Sequence, residues 1–514
     1  MTARTAVFDR ASFVFLVILI GLTWARIVGL QLTPLDLHFD EAQYWAWSRS
    51  LEWGYFSKPP LVAWVIAGAT ALVGDQEWGV RLAAPLAQAF AGLVLYALGR
   101  SIYGTVAGLF AGLAWLTMPG VWLSSAIIST DALLLPLWSL ALLALWRLVV
   151  TRAWVWVILL GVAVGLGALA KYAMLYFFLC AALAAWWSKP ARNVILDWRG
   201  ALAAVIALAI LAPNLVWNFG NSFATVSHTA ANARIDADDL LNPGEWLEFT
   251  ISQAGVIGPL LFLALAFLFW RAARRASGLA DEDKFLAAFV IPPLIVIMGL
   301  AFVSRANANW AAAAYPAALV WIAGSLAIGK RGRRFLVAAI LVNFAIGGVV
   351  AAAALSPSFA DRIGAANAFK RSRGWEETAR EIALRAVAQP DEPPFTAVLV
   401  DHRATYFELA YYWRHARRAG APLPPVRMWL LHGDARNAAE AIDPMRPEEG
   451  ARVLVVHANP QYLPFVAGDF TVFRTVEHLA IPLGGGINRE LEISVGDGFA
   501  PAPRDAAFEA RLPR

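Results

Sequence analysis

The sequence is poor in cysteine and in charged residues. Cys180 is the only cysteine among 514 residues, so no disulfide can form within the chain. Charged residues make up 15% of the chain, whereas a soluble globular domain contains about a quarter. The chain also lacks an internal repeat and the His, Cys, Asp and Glu spacing of a dedicated metal site. These absences exclude an internally disulfide-linked scaffold and a repeat array, and they disfavour a soluble enzyme.

What the chain does contain is apolar sequence. Hydrophobic residues make up 59% of it, and the mean hydropathy is +0.58. The 23 Trp residues fit a membrane protein, because indole prefers the membrane–water interface. The net charge of +5 is explained by Lys and Arg in short loops between spans, so we expect no nucleic-acid partner.

Eleven apolar segments approach the length of about 20 residues that a membrane-spanning helix needs. They lie near 11–30, 77–98, 105–125, 131–149, 153–170, 172–188, 200–217, 251–270, 285–303, 311–329 and 335–355. We therefore expect a polytopic all-α membrane bundle of about 11–13 transmembrane helices. The first segment precedes no clear small-x-small cleavage site, so we expect an uncleaved helix.

The distribution of Lys and Arg predicts which loops face the cytoplasm. Alternate loops, starting with the N-terminus, hold most of these residues, and positive residues stay cytoplasmic. The loops 31–76 and 218–250, and everything after about 356, then lie outside. The short apolar segment 59–74 would reverse this pattern if it crossed the membrane, so we expect it not to cross.

The chain changes character after about residue 361. The stretch RGWEETAREIALRAVA is helical in pattern, while FTAVLVD, RVLVVHA and FTVFRTVEH are strand-like. We therefore predict a transmembrane domain at 1–355, with its first outer loop at 31–76, and a soluble extracytoplasmic α/β domain at 356–514.

One outer stretch, HFDEAQYWAWSRSLEWGYFSKPP at 38–60, joins two carboxylates to seven aromatic rings and a lysine. Asp40 is expected to begin a helix that carries Tyr44, Trp47 and Leu51 on one stripe. The helix dipole favours carboxylates at that end. The alternative is that Asp40 only caps the helix and that Glu41 is solvated.

Further charges fall on the same predicted face. Lys58, Arg81 and Asp131 lie at outer ends of apolar segments. Ionisable residues near membrane depth are functional candidates, although a single Lys there is usually a snorkelling residue. Carboxylates beside cations at a lipid interface suit transfer of a sugar from a lipid phosphate. The cations stabilise the leaving phosphate, and a carboxylate takes the proton of the acceptor hydroxyl.

These motifs resemble one family. FDEAQYW, YFSKPPLVAW, GVRLAAP and STDALLLPLW, in this order, look like the GT-C membrane glycosyltransferases. The nearest branches are the protein O-mannosyltransferase-like and lipid A aminoarabinose transferase-like enzymes. The resemblance covers about 1–355 and includes GLGALAKYAMLYFF and NANWAAAAYPAALVW. In the tail, DHRATYFELAYYW is similar to a Tyr-containing element of the family's outer domain.

The resemblance implies a GT-C-like helical bundle, a polyprenyl-phosphate sugar donor and inversion at the anomeric carbon. It implies that Asp40 is the catalytic acidic residue, that Glu41 helps to place substrates and that Lys58 meets the lipid phosphate. The arginine associated with the aminoarabinose branch is missing near the acidic pair. A hexose or a uronic acid, moved onto a cell-envelope glycolipid such as lipid A or lipopolysaccharide core, is therefore expected.

Other residues are also candidates for the same site. Lys171 is a turn charge or a phosphate contact, and Arg305 contacts a phosphate or anchors the interface. His228 lies in the long outer loop, as a lid residue or simply solvated, and Tyr406 lies in the tail. Tyr44 and Tyr55 are further substrate-binding candidates. No cofactor is required by these residues, although two carboxylates are compatible with a divalent cation held through water.

The resulting hypothesis is a multi-pass inner-membrane glycosyltransferase whose site and C-terminal domain face the periplasm. Its partners would be a polyprenyl-phosphate sugar, a glycolipid or protein acceptor and membrane lipids. A protein O-mannosyltransferase-like enzyme is an alternative. The rival class is a lipid-linked sugar flippase or transporter, which favours ionisable residues at mid-bilayer and internal symmetry. The charges here lie at span ends, and the two halves do not match.

Overall fold

A computed structural model describes residues 9–223, 225–227, 241–274, 278–387 and 392–513. The chain forms two compact units. The membrane unit comprises Met1–Leu32 and Lys58–Ala351, and the C-terminal unit comprises Thr33–Ser57 and Ala352–Arg514. This division differs from the predicted one, because residues 33–57 of the first outer loop group with the C-terminal residues rather than with the transmembrane helices.

The membrane unit is helical. Numbered in chain order, its helices are α1 Arg10–Leu32, α3 Leu61–Val73, α4 Glu77–Arg81, α5 Ala83–Tyr103, α6 Thr105–Thr117, α7 Pro119–Ala126, α8 Thr130–Thr151, α9 Trp154–Ala170, α10 Tyr176–Trp187, α11 Lys189–Ile195, α12 Trp198–Gly220, α13 Pro243–Ile257, α14 Pro259–Arg274, α15 Asp281–Val303, α16 Tyr315–Leu326 and α17 Lys330–Leu355. Two 3₁₀ segments, Tyr172–Leu175 and Ala308–Ala314, precede α10 and α16.

The chain is a multi-pass membrane protein, and among the described residues fewer helices have the length and composition of a span than the 11–13 expected. Six described helices qualify by length and composition, or eight if each of two bent pairs is one span. The bends are 56° between α6 and α7 and 115° between α13 and α14. Each break precedes a proline, Pro119 or Pro259, which cannot donate a helical hydrogen bond. Apolarity alone therefore did not reveal these interruptions.

The segment expected not to cross the membrane forms a short helix, α3. Its 13 residues rise about 20 Å at about 1.5 Å per residue, less than the roughly 30 Å hydrocarbon core. The side assigned to each later loop depends on this segment and stays a prediction.

Close packing of α9 on α12 depends on two glycines. A Cβ at Gly161 would lie 2.6 Å from the Cβ of Ile206, and one at Gly165 would lie 2.8 Å from that of Ile210. Both pairs are four residues apart, so they stack along one helix face. Small residues at this spacing let membrane helices approach each other closely.

The C-terminal unit combines helices with a mixed sheet. Its helices are α2 Phe39–Trp47, α18 Pro357–Arg362, α19 Ala366–Phe369, α20 Trp375–Ala386, α21 Arg403–Tyr412, α22 Arg414–Arg418, α23 Ala438–Ile442, α24 Leu463–Ala467 and α25 Ala506–Glu509. Its strands are β1 Ala397–Val400, β2 Val426–Met428, β3 Arg452–His457, β4 Phe470–Gly484 and β5 Ile487–Phe499. The predicted α/β fold of the tail is confirmed.

The sheet order is β2-β1-β3-β5-β4. β1 pairs in parallel with β2 and β3, whereas β5 pairs antiparallel with β3 and β4. β1 is buried along its whole length, as parallel strands covered on both faces are. A cluster that includes Leu399, Trp429 and Val455 forms the core beside it.

Candidate active site

The helix that carries the acidic pair is fixed by a capping box. The backbone N–H of Asp40 donates to Nδ1 of His38 over 3.2 Å, and the backbone N–H of His38 donates to the Glu41 carboxylate over 2.9 Å. Glu41 is fully buried. The suggestion that Glu41 is solvated is therefore wrong, and its part in placing substrates stays a prediction.

Asp40 is the more accessible of the two carboxylates. Its side chain is 39% exposed and accepts a hydrogen bond from the Arg403 guanidinium over 3.1 Å. The same Arg403 nitrogen donates to Oε1 of Gln43 over 2.7 Å. The guanidinium also lies 4.7 Å from the centroid of the Phe39 ring. Asp40 is thus contacted by one cation and keeps part of its surface exposed.

Arg403 was missed by the sequence interpretation. It lies at the first position of α21, within the DHRATYFELAYYW element, where the sequence analysis singled out Tyr406. It is 363 residues from Asp40 in the chain. The one available signal was an arginine inside a motif already similar to the family's outer domain.

The helix predicted to begin at Asp40 begins at Phe39, with His38 as its N-cap, and is shorter than expected. It ends at Trp47 with Ser48 as its C-cap, so Leu51 is not on its stripe and is exposed. Tyr44 is buried with its ring 5.5 Å from that of Trp47.

Tyr55 stabilises the turn after this helix. Its hydroxyl lies 3.0 Å from both the Trp47 and the Ser50 carbonyl oxygens, and its ring stacks on Trp47 at 4.6 Å. Burial raises the pKa of the Tyr55 phenol. These contacts are structural, and a substrate contact by Tyr44 or Tyr55 stays a prediction.

Tyr406 is used within the C-terminal fold. It is buried, and its hydroxyl donates to the carboxylate of Asp443. Burial, followed by the hydrogen bond to Asp443, raises the pKa of the Tyr406 phenol. Asp443 therefore satisfies the hydrogen bond of the Tyr406 hydroxyl without a substrate.

In the membrane unit, three elements bring polar side chains together. Asp131, in the first turn of α8, accepts from Nζ of Lys171 over 2.7 Å and from Nδ2 of Asn309 over 2.7 Å. Lys171 is the C-cap of α9, and Asn309 lies in the 3₁₀ segment before α16. The Asp131 and Lys171 side chains are 17% and 24% exposed. Two residues selected separately from the sequence therefore form one ion pair.

For the remaining predicted site residues that it describes, the structure shows burial but does not assign a role. Arg81 is buried at the end of α4, Lys58 is partly buried, and Arg305 is exposed. His228 lies outside the described residues. Within the described ranges, no group of three or more His, Cys, Asp or Glu side chains is placed to hold a metal ion. The expectation that no cofactor is required stays a prediction.

Solved structures share this architecture. The chain resembles ArnT of Cupriavidus metallidurans bound to undecaprenyl phosphate with a TM-score of 0.61 and 16% identity, over 95% of this chain and 99% of that one. The apo form gives a TM-score of 0.60. The chain has the GT-C fold. The bundle and the small sheet predicted for it are therefore confirmed.

Sequence comparisons agree with this GT-C assignment. Residues 57–217 match the family model for dolichyl-phosphate-mannose-protein mannosyltransferase. The chain is 37% identical over 306 residues to lipid A galacturonosyltransferase RgtD of Rhizobium johnstonii, across 59% of this chain and 64% of that one. It is 26% identical over 300 residues to undecaprenyl phosphate-alpha-4-amino-4-deoxy-L-arabinose arabinosyl transferase 1 of Pseudomonas fluorescens, across 52% of this chain and 53% of that one.

The predicted resemblance to GT-C membrane glycosyltransferases is confirmed by these matches. The chain spans less than two thirds of the length of the curated relatives that it matches. Their substrates therefore bear on this chain only through a proposal.

Proposed function

We propose that this GT-C protein transfers a sugar from a polyprenyl phosphate to a hydroxyl of a cell-envelope glycolipid. The observation that carries the proposal is Asp40, a partly exposed carboxylate at the start of a capped helix that accepts from Arg403, whose guanidinium also donates to Gln43. A base must hold a carboxylate oxygen within reach of the proton that it takes, and the contact of an accessible Asp40 with Arg403 supports this role. The lipid A and arabinosyl transferases that it resembles support the choice of donor and acceptor.

In the proposed reaction, Asp40 takes the proton of the acceptor hydroxyl. The acceptor oxygen attacks the anomeric carbon from the face opposite the phosphate, so the configuration inverts. The bond from that carbon to the phosphate oxygen breaks, and polyprenyl phosphate leaves with the electron pair. Cations stabilise the developing phosphate charge. Lys58 and Arg81 are the proposed phosphate contacts.

A uronic acid is the proposed sugar. In the sequence, the acidic pair is followed by Ala42, Gln43 and Tyr44 without the nearby arginine associated with the aminoarabinose branch, which favours a different sugar. The relative with 37% identity is a galacturonosyltransferase that acts on lipid A. Galacturonic acid on a lipid A or lipopolysaccharide core acceptor fits both observations.

The proposed location is the inner membrane, with the site on the periplasmic side. The alternation of basic loops supports this orientation, because it places the N-terminus in the cytoplasm. Cysteine labelling from outside the cell at position 40 tests this location independently of activity. Failure of an impermeant reagent to reach that position would contradict it.

The test of the activity uses purified full-length protein. It is incubated with polyprenyl phosphates that carry galacturonic acid, aminoarabinose or mannose, and with lipid A, core lipopolysaccharide or an acceptor protein. Mass spectrometry should show one uronic acid added to the glycolipid. Absence of any transfer, together with movement of the donor across vesicle leaflets, would instead favour a flippase.

A further inference from the structure

A cavity of about 380 Å³ lies in the C-terminal unit, where the parallel strands end. His402, which follows β1 after one residue, and Ala458 and Asn459, which follow β3, line it. The chain passes from β1 to β2 on one side and later to β3 on the other, so the crevice between β1 and β3 is a topological switch point. Ligands of open α/β sheets bind at this position.

The two strand ends are fixed to each other. The Asp401 carboxylate accepts from the backbone N–H of Ala458 over 2.8 Å and from that of Asn459 over 3.1 Å. The buried His457 ring lies 3.1 Å from the same carboxylate. The floor of the cavity is therefore held by buried polar contacts rather than by mobile loops.

Positive charge predominates around this cavity. Lys370, Arg371 and Arg489 line it, against one carboxylate among the lining residues, that of Glu490. Glu490 lies 2.7 Å from Nε2 of His478. Hydrogen bonds that the His478 ring donates to Glu492 and to Glu490 raise the pKa of His478, so the imidazolium that offsets this carboxylate is favoured.

Arg489 brings a partly buried cation to the cavity wall. Its guanidinium lies 3.3 Å from the centroid of the Trp375 ring. It donates to the Gly374 carbonyl over 2.9 Å and to the Thr378 hydroxyl over 2.8 Å. Burial lowers the pKa of Arg489 to about 10, so it stays charged at neutral pH. Its hydrogen bonds end on neutral oxygens, and the negative charges of Glu408 and Asp36 also act on it, so a bound anion would add to these counter-charges.

The start of α21 adds to this field. Ala404 and Thr405, in the first turn of this ten-residue helix, also line the cavity. The N-terminal end of a helix favours a negative charge. Each of these groups therefore favours a negatively charged ligand: the start of α21, the exposed pair Lys370 and Arg371, and Arg489.

The cavity adjoins the candidate catalytic pair. Phe39 and His402 line it, while the next residues, Asp40 and Arg403, form the ion pair. The Arg371 guanidinium lies 6.0 Å from the centroid of the Phe39 ring. Phe39, which lines the cavity, and Asp40 are therefore successive residues of α2.

We propose that this cavity binds the anionic sugar of the glycolipid acceptor, through its phosphate or carboxylate, and so presents a neighbouring hydroxyl to Asp40. The inference rests on the proposed function, because it names where the acceptor of that reaction is held. A volume of about 380 Å³ is near the lower end of small-ligand sites. It accommodates a sugar with one charged substituent, not an acylated lipid.

Calorimetric titration of the full-length protein in detergent tests the binding without any need for transfer. The probes are glucose 1-phosphate, galacturonate and glucose. At least one anionic sugar should bind about tenfold more tightly than glucose, as expected for a charge-assisted hydrogen bond. Equal affinities for all three sugars would overturn the proposal.

The variants replace exposed cations of the cavity. Because these side chains are exposed, we expect the variants to fold like the wild type. Lys370→Gln combined with Arg371→Gln should weaken binding of the anionic sugar by about tenfold. The matched control combines Arg446→Gln and Arg474→Gln, two exposed arginines of the same unit that do not line the cavity. The control should bind like the wild type. Unchanged binding in the first variant would contradict the assignment.

A competition assay separates acceptor from donor. During transfer to lipid A, the anionic sugar should raise the KM for the acceptor and leave the KM for the polyprenyl-phosphate sugar unchanged. Competition with the donor instead would overturn the acceptor assignment. If the protein transferred no sugar at all, the proposed function would fail, while the titration would still decide whether the cavity binds anions.

Discussion

Asp40 and Glu41 are adjacent in the chain, yet their side chains have different surroundings. Successive helix positions point about 100° apart, so one carboxylate closes the capping box and the other stays half-exposed beside Arg403. Arg403 also contacts Gln43 and Phe39, one turn of α2 in all. At the scale of single residues, the proposed mechanism has Asp40 accept the proton. In that mechanism, Arg403 orients the Asp40 carboxylate.

Arg403 can be tested through its dependence on Asp40. Arg403→Gln should lower transfer by about ten- to a hundredfold, because a misplaced catalytic group loses that much rate. Arg403→Lys should recover part of the loss. In the double variant Asp40→Asn/Arg403→Gln, the rate should be no lower than in Asp40→Asn alone. Additive losses would show that Arg403 acts apart from Asp40.

The Asp131–Lys171 pair allows a stability prediction in the membrane unit. Lys171→Met should lower the free energy of unfolding by about 1–3 kcal/mol, because it leaves the partly buried Asp131 carboxylate with Asn309 alone. The double variant Asp131→Asn/Lys171→Met should recover most of that loss. Thermal melting in detergent checks both. Equal melting of the single variant and the wild type would mean that the pair adds no stability.

The sequence predicted single residues better than their partners. Charge at the ends of apolar segments identified Asp131 and Lys171, which the structure joins. The DE dipeptide within an aromatic stretch identified Asp40. Arg403 was not identifiable by the same means, because its role depends on a contact across 363 positions that no local pattern encodes.

At the scale of elements, two helices of the C-terminal unit share an unusual cap. His38 caps α2 and His402 caps α21, each through Nδ1 accepting a backbone N–H over 3.2 Å. Only a neutral imidazole can accept there. Burial is the main cause that lowers the pKa of His38 and of His402. Both helix starts therefore depend on deprotonated rings.

This cap predicts a pH dependence. Because the folded pKa of His38 lies below its ordinary 6.5, the stabilisation is complete above pH 6.5 and is lost as the pH falls below it. Hydrogen exchange at the first amides of α2, corrected for intrinsic rates, should show less protection at pH 5.5 than at pH 7.5. His38→Asn, an equally good cap that does not titrate, should remove the difference at α2. The same pH dependence in that variant would contradict the assignment.

The contact between α9 and α12 gives a second prediction for elements. Gly161→Ala should destabilise the membrane unit by about 1–3 kcal/mol, because its Cβ would overlap Ile206. Gly68→Ala in α3 is the matched control, since its Cβ meets no atom within 4 Å and alanine favours helix. Thermal melting should separate the two variants, and equal melting would contradict this account of the packing.

Helix boundaries were the weaker part of the prediction of elements. Hydropathy located the apolar segments, but it does not respond to the breaks at Pro119 and Pro259 or to the 3₁₀ turns before α10 and α16. The stripe assumed for α2 failed at Leu51, because the helix ends at Trp47. Caps and turns depend on one or two residues, which an average over a window conceals.

At the scale of the whole molecule, the C-terminal unit is discontinuous in sequence. Residues 33–57 belong to it through long-range bonds. The backbone N–H of Trp375 donates to Asp36 over 2.6 Å, and that of Leu37 donates to the Tyr412 hydroxyl over 3.1 Å. Composition divided the chain at 355 because it detects where apolar spans end. It does not detect that an earlier loop folds with the tail.

In the proposed function, Asp40 is the base of a sugar transfer from a polyprenyl phosphate. The most direct measurement is single-turnover transfer of galacturonic acid from its polyprenyl phosphate to lipid A by Asp40→Asn protein. The control is Asp434→Asn, an exposed carboxylate of the same unit. The account predicts a rate about 10²–10⁴-fold lower for Asp40→Asn, with folding retained and the control at the wild-type rate. Transfer by Asp40→Asn at the wild-type rate would contradict it.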